Sequence, residues 1–100
     1  MKERAVIFAP EARDDLFALY DWIADAAGTQ TAIGYIERLE AYCKNFSHAS
    51  ERGQLRNDIR PNLRIIGFER RVVIAFTVDA QRVTILRMFY GGKSWETDLS

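Results

Sequence analysis

Three apolar runs, LRIIGF (63–68), VVIAFTV (72–78) and RVTILRMFY (82–90), follow one another with only Glu69–Arg71 and Asp79–Gln81 between them. Connections this short cannot hold a parallel crossover, which needs about a dozen residues or more, so neighbouring runs must pair as antiparallel strands. Their β-branched and aromatic residues suit a pleated surface with one buried face. In the middle run Val72, Ile74, Phe76 and Val78 are expected on the covered face, with Val73, Ala75 and Thr77 opposite. By the same alternation, Arg87 falls with Val83, Ile85 and Phe89 in the last run, and Leu86, Met88 and Tyr90 fall on the other face.

A sheet needs a cover, and the first half supplies one. RAVIFA (4–9) reads as an opening strand stopped by Pro10, which a first helical turn tolerates. Ala12, Leu16, Leu19, Tyr20, Ile23 and Ala27 then fall within an arc of about 100° on a helical wheel. Glu11, Asp14 and Asp15 suit the positive end of that helix, and Gly28 its C-cap. Thr29 is the expected N-cap of a second helix, whose stripe of Ala32, Tyr35, Ile36, Leu39, Tyr42, Cys43 and Phe46 is about 120° wide. Residues 47–62 read as a polar loop ending in the turn signal Arg60-Pro61-Asn62. The expected fold class is α+β in the order β-α-α-β-β-β, a helical hairpin on a small, mostly antiparallel sheet, as a single domain over 1–100.

Composition narrows the function classes. At 48% apolar and 28% charged, a chain of 100 residues has the make-up of one globular domain. No apolar run reaches the roughly 18 residues of a membrane span, and the start MKERAVIFAP lacks a leader pattern, so no membrane association is expected. The lone Cys43 cannot form an internal disulfide, which fits a cytoplasmic location. His48 and Cys43 lack the paired spacing of a zinc site, and no glycine-rich loop joins a strand to a helix, so neither a metal nor another cofactor is expected. Cys43 belongs to the apolar stripe, and His48 suits the end of the second helix.

The zero net charge conceals polarity. Residues 1–50 hold five basic and eight acidic side chains, a net −3, which leaves +3 for the second half. Arginines 52, 56, 60, 64, 70 and 71 face only Asp58 and Glu69 in that stretch. Such a distribution suits an interface or a phosphate contact more than general coating of nucleic acid. Arg64 and Arg87 interrupt apolar strands, so each either pairs with a carboxylate, Glu69 or Asp79 being at hand, or points at a ligand. A metal-independent ribonuclease would need cations, which Arg64, Arg71 and Arg87 could supply, a proton donor such as Tyr90, and a base for the 2′-hydroxyl; the strands offer no lysine or histidine for that base. Phe17, Trp22 and Ile33 lie off the helical stripes and suggest a groove for an amphipathic partner helix, and Trp95 adds an aromatic to the tail.

Taken in order, FAPEARDDLFALYDWIAD, AIGYIERLEAYCKNF, Gly53–Arg56, RPNLRIIGFERRVVIAFTV and VTILRMFYGGKSWE make the chain resemble the ParE toxins of the RelE/ParE superfamily of type II toxin–antitoxin modules. The resemblance covers roughly residues 5–96. It implies a toxin that inhibits DNA gyrase by protein binding, without catalytic residues of its own. It also implies a ParD-like antitoxin with a ribbon-helix-helix region, through which alone the complex would contact operator DNA. On this reading Arg64, Arg71, Arg87, Tyr90 and Trp95 engage the target, and the antitoxin covers Phe17, Trp22 and Ile33 together with Arg64, Arg71 and Arg87. Relatives of the RelE and YoeB type are instead ribosome-dependent messenger-RNA endoribonucleases. In that alternative Arg71, Arg87 and Tyr90 are the catalytic candidates, although Phe89 stands where a YoeB-like nuclease has histidine. A third reading is an inactive relative that only binds its antitoxin.

Overall fold

The computed structural model describes residues 3–48 and 51–91. Strand β1 (Ala5–Phe8) leads into helix α1 (Pro10–Ala27), helix α2 (Thr29–Lys44) and a single 3-10 turn (Asn45–Ser47). The chain continues through β2 (Gln54–Leu55), β3 (Leu63–Phe68), β4 (Val72–Val78) and β5 (Arg82–Tyr90). The strands form one five-stranded sheet in the order β1-β5-β4-β3-β2. Every pairing is antiparallel except β1 with β5, which places Ala5 opposite Arg82 and Phe8 opposite Ile85. The expected α+β layering stands, with one addition. Gln54 and Leu55, read from sequence as loop, pair with Ile65 and Arg64 and make a short edge strand. Two residues are too few to show any periodicity.

The helices meet at a single residue. Gly28, at φ 96°, ends α1 by donating its N–H to the Ala24 carbonyl, and its own carbonyl accepts the Ala32 N–H to start α2. Gly28, not Thr29, therefore stands at the N-cap; Thr29 is already helical. So tight a reversal requires a backbone conformation that a side chain resists.

Ala12, Leu19, Ile23, Ala32, Tyr35, Leu39, Cys43 and Phe46 pack on Phe68, Val72, Ile74, Phe76, Val83, Ile85 and Met88 to form the main core. The middle strand thus faces the helices as its alternation requires. The other face of the sheet is not bare, because Leu63, Ala75 and Phe89 are buried there, with Ile59, Ile65, Val73 and Leu86 against them.

The last strand departs from simple alternation. Phe76 pairs with Ile85 and Ala75 with Arg87, so Leu86 is the extra residue of a β-bulge. The bulge inverts the parity after it. Val83 and Ile85 share the helix-facing core with Met88 and Tyr90, whereas Arg87 and Phe89 lie with Leu86 toward the opposite face. Strict alternation had grouped Arg87 with Val83 and Ile85, and a one-residue insertion reverses faces.

Candidate functional site

The bulge has a partner on α1. β1 ends opposite Ile85, so the outer edge of β5 beyond that point has no strand beside it. Asp15 reaches this edge, and one carboxylate oxygen accepts the Met88 N–H at 2.9 Å and the Arg87 Nε at 2.8 Å. The other accepts Arg87 Nη2 at 3.2 Å. The Arg87 guanidinium also lies over the Phe89 ring, 4.9 Å from its centroid. Arg87 is therefore paired with Asp15, not with the Glu69 or Asp79 considered from sequence. Asp15 looked like one of several solvated acids on α1, and only the fold brings it to residue 87.

Arg64 lies elsewhere. It sits opposite Phe76 on the helix-facing side of β3, and its Nη1 donates to the Arg52 carbonyl at 3.3 Å. Arg52 in turn covers Tyr42 and Phe46, its guanidinium carbon 5.8 Å from each ring centre. Arg64 and Arg87 thus occupy opposite faces of the sheet and cannot grip one ligand together.

Arg71 and Tyr90 do come together. With Gly67, Arg70, Val72, Val73 and Phe89 they line a cavity of about 240 Å³ at the β3–β4 turn. That turn holds Glu69 and Arg70 at φ 47° and 60°, and its Arg71 N–H donates to the Phe68 carbonyl. Two successive positive φ values fit the right-handed twist of a hairpin but normally call for Asn-Gly. The turn is anchored to α2 by Arg38, which donates to both Glu69 oxygens at 3.0 and 3.2 Å. The same bonds hold the Glu69 carboxyl below the usual carboxylate range. The Trp22 ring packs against Tyr90, with ring centres 5.3 Å apart and planes tilted by 39°.

Trp22 consequently belongs with Tyr90 and Arg71 and not with Phe17, from which five helical residues separate it by about 140° on the wheel. Phe17, 71% exposed, instead borders a groove of about 610 Å³ between β1, α1 and α2. Val6, Phe8, Leu16, Tyr20 and Ile36 make its apolar wall, and Arg13, Glu40 and Lys44 its charged rim. Ile33, also exposed, falls on the row of Ile36, Glu40 and Lys44 and extends that wall toward the hairpin tip. The anticipated single patch of Phe17, Trp22 and Ile33 is therefore two surfaces. Trp95 lies outside the described residues.

Among the described residues no group of His, Cys, Asp and Glu could hold a metal ion, and no helix is long and apolar enough to cross a membrane. Cys43 is fully buried, and desolvation pushes its thiol up to about 12, the behaviour of a core residue.

These features define a small α+β scaffold with an apolar groove on one side of its helical hairpin and a basic, aromatic cleft on the other. The model of the ParE toxin of the type II toxin–antitoxin system parDE matches residues 6–95. The chain belongs to that family, and it is a type II toxin by family. Among solved structures, a chain described as the chromosomal ParDE TA system from P. aeruginosa superposes with a TM-score of 0.77 at 21% identity, covering 90% of this chain and 98% of that one. At that identity the likeness concerns the fold. No curated protein sequence matches the chain significantly.

Proposed function

We propose that this ParE-family toxin acts by binding DNA gyrase, without chemistry of its own, and that a ParD-like antitoxin neutralises it by laying an amphipathic helix in the groove beside Phe17. The observation that carries the non-catalytic reading is the engagement of Arg87. A guanidinium held by Asp15 through two hydrogen bonds and backed by Phe89 is not free to surround a phosphorane. Tyr90, the other catalytic candidate, has its ring packed against Trp22. Arg71 alone of the three is exposed at a turn, well placed to meet a partner.

The groove suits a partner helix because its apolar walls are flanked by charges of both signs, Arg13 and Lys44 against Glu40. Target engagement falls to the other side, to Arg71, Tyr90 and Trp22, with Arg87 at its margin and Trp95 as the proposed tail contact. Arg64, on the opposite face from Arg87, contributes to neither grip directly. The antitoxin's ribbon-helix-helix part would supply the operator contacts.

The test is a supercoiling and cleavage assay with purified gyrase, run beside translation with mapping of messenger-RNA cuts, each with and without the antitoxin. Trapped gyrase–DNA cleavage with intact RNA, relieved by antitoxin, is the expected result. Cuts in ribosome-bound RNA with gyrase unaffected would overturn the proposal and return Arg71, Arg87 and Tyr90 to catalytic candidacy.

A further inference from the structure

The cleft between the tip of the helical hairpin and the β3–β4 turn holds a feature that packing alone leaves unexplained. Tyr35 is 7% exposed, and its buried hydroxyl has no hydrogen-bond partner. A buried hydroxyl without a partner is destabilising and rare. Beside it, Glu69 of the β3–β4 turn also lines the cleft. The cleft measures about 300 Å³. Its apolar lining includes Trp22, Ile23 and the Tyr35 ring, and its charged lining is Arg38, Glu69 and Arg71, a formal +1. The Arg71 side chain forms no hydrogen bond or ion pair with any described residue. Burial foremost, then Glu69, raises the pKa of Tyr35 above its ordinary value, so the hydroxyl stays a proton donor at neutral pH.

We propose that this cleft receives a protein segment presenting one carboxylate beside an apolar or aromatic side chain. Arg71 and the Tyr35 hydroxyl take the carboxylate, and Trp22 and Ile23 take the apolar group. The Arg38–Glu69 pair that borders the cleft is exposed, and exposed pairs are weak, so an entering carboxylate parts it and gains Arg38 as a second cation. A phosphate fits less well, because its second negative charge would lie against Glu69 in a cleft of only +1. The inference rests on the reading of this face as a protein-binding surface and names the chemistry of what it binds. Its test contains neither gyrase nor antitoxin, so the two readings can fail separately.

The full chain, labelled with nitrogen-15, is titrated with N-acetyl-phenylalanine, with the matching amide, and with phenyl phosphate. The acid is expected to shift the Trp22 indole N–H and the Tyr35 and Arg71 amides, and to bind about tenfold or more tightly than the amide, the scale of a charge-assisted hydrogen bond. Arg71→Gln should lose that preference. Tyr35→Phe should be at least as thermostable as the parent yet bind the acid several-fold more weakly, a combination a purely structural hydroxyl would not give. Arg60→Gln, in the loop before β3 and outside the cleft, should bind the acid unchanged. Equal affinity for acid and amide, tighter binding of phenyl phosphate, undiminished binding by Tyr35→Phe, or no response at these residues would each overturn the proposal.

Discussion

Replacing Asp15 should cost far more than its place on a polar helix face suggests. Its carboxylate accepts three N–H groups, two from Arg87 and one from the backbone of Met88. Asp15→Ala leaves the Met88 N–H at an uncovered sheet edge without an acceptor, a loss of about 1–3 kcal/mol for a buried donor. It also strands the Arg87 charge. Side-chain exposures of 32% for Arg87 and 15% for Asp15 put the pair between the surface and buried cases, so roughly 1–2 kcal/mol is reasonable for it. Together these give about 3 kcal/mol, a fall in Tm of roughly 12–24 °C for a domain this size. Asp15→Asn keeps one oxygen, for Met88 and Arg87 Nε, but loses the charge and turns an NH2 donor toward Arg87 Nη2, so its cost should fall between the parent and Asp15→Ala. Urea unfolding of Asp15→Ala, Arg87→Met and the double variant should show a coupling of about 1 kcal/mol. If Asp15→Ala unfolds within about 0.5 kcal/mol of the parent, the bulge is held by something other than Asp15 and the account fails.

Four further outcomes follow from single residues. Gly53 has φ 72°, and a Cβ there would collide with the Ile65 carbonyl oxygen; Gly53→Ala should therefore destabilise by more than about 2 kcal/mol in thermal melts, detaching β2. Arg70→Gly should raise stability by about 0.5–1 kcal/mol in the same melts, because its φ of 60° suits glycine. With its pKa raised to about 12 in the folded state, the Cys43 thiol favours folding fully below the unfolded value of 9.0 and loses that contribution as pH climbs toward 12; iodoacetamide should label it only in urea, and Cys43→Ala should flatten the alkaline decline. Asp79 has a depressed pKa because the Gln81 and Arg82 amides donate to it, so its contribution is present above the usual carboxylate range and is lost as pH falls through its folded value; the protection of those two amides against exchange, relative to the intrinsic rate, should persist through the usual carboxylate range and fall at more acid pH.

The elements whose pattern repeats were legible. Helical stripes and strand alternation gave the two-layer arrangement and its order, because burial of one face leaves a periodic trace over many residues. What escaped depended on one-residue geometry. The bulge at Leu86 reverses faces within an unbroken apolar run, and no residue type marks it. The partner of Arg87 is 72 residues away, so nothing local distinguishes Asp15 from Asp14. Trp22 and Phe17 were joined because both lie off the buried stripe, yet being off one stripe does not put two residues on the same side. Gly28 serving two helices displaced Thr29 from the cap by one position. The unpaired Tyr35 hydroxyl left no sequence trace, since a tyrosine on an apolar stripe is ordinary.

The separation of Phe17 from Trp22 has a consequence for how such a toxin is controlled. If the antitoxin lies in the groove and the target meets the cleft, neutralisation is not simple blockage of one surface, and each surface should fail independently. Phe17→Asp puts a charge at the edge of an apolar wall and should weaken antitoxin binding by at least about 30-fold, the scale of an interface hot spot, while toxicity persists. Trp22→Ala removes the ring contact with Tyr90, about 0.5–1.5 kcal/mol, together with the apolar area that a 43% exposed indole buries, so roughly 2–3 kcal/mol in all is expected and a melting curve checks that the variant stays folded. It should abolish the target effect and leave antitoxin affinity within about twofold. Calorimetric titration with antitoxin and the gyrase assay, run on both variants, separate the cases. Were either variant to lose both activities while retaining its fold, antitoxin and target would share one surface, and the division read from the two sides of α1 would be wrong.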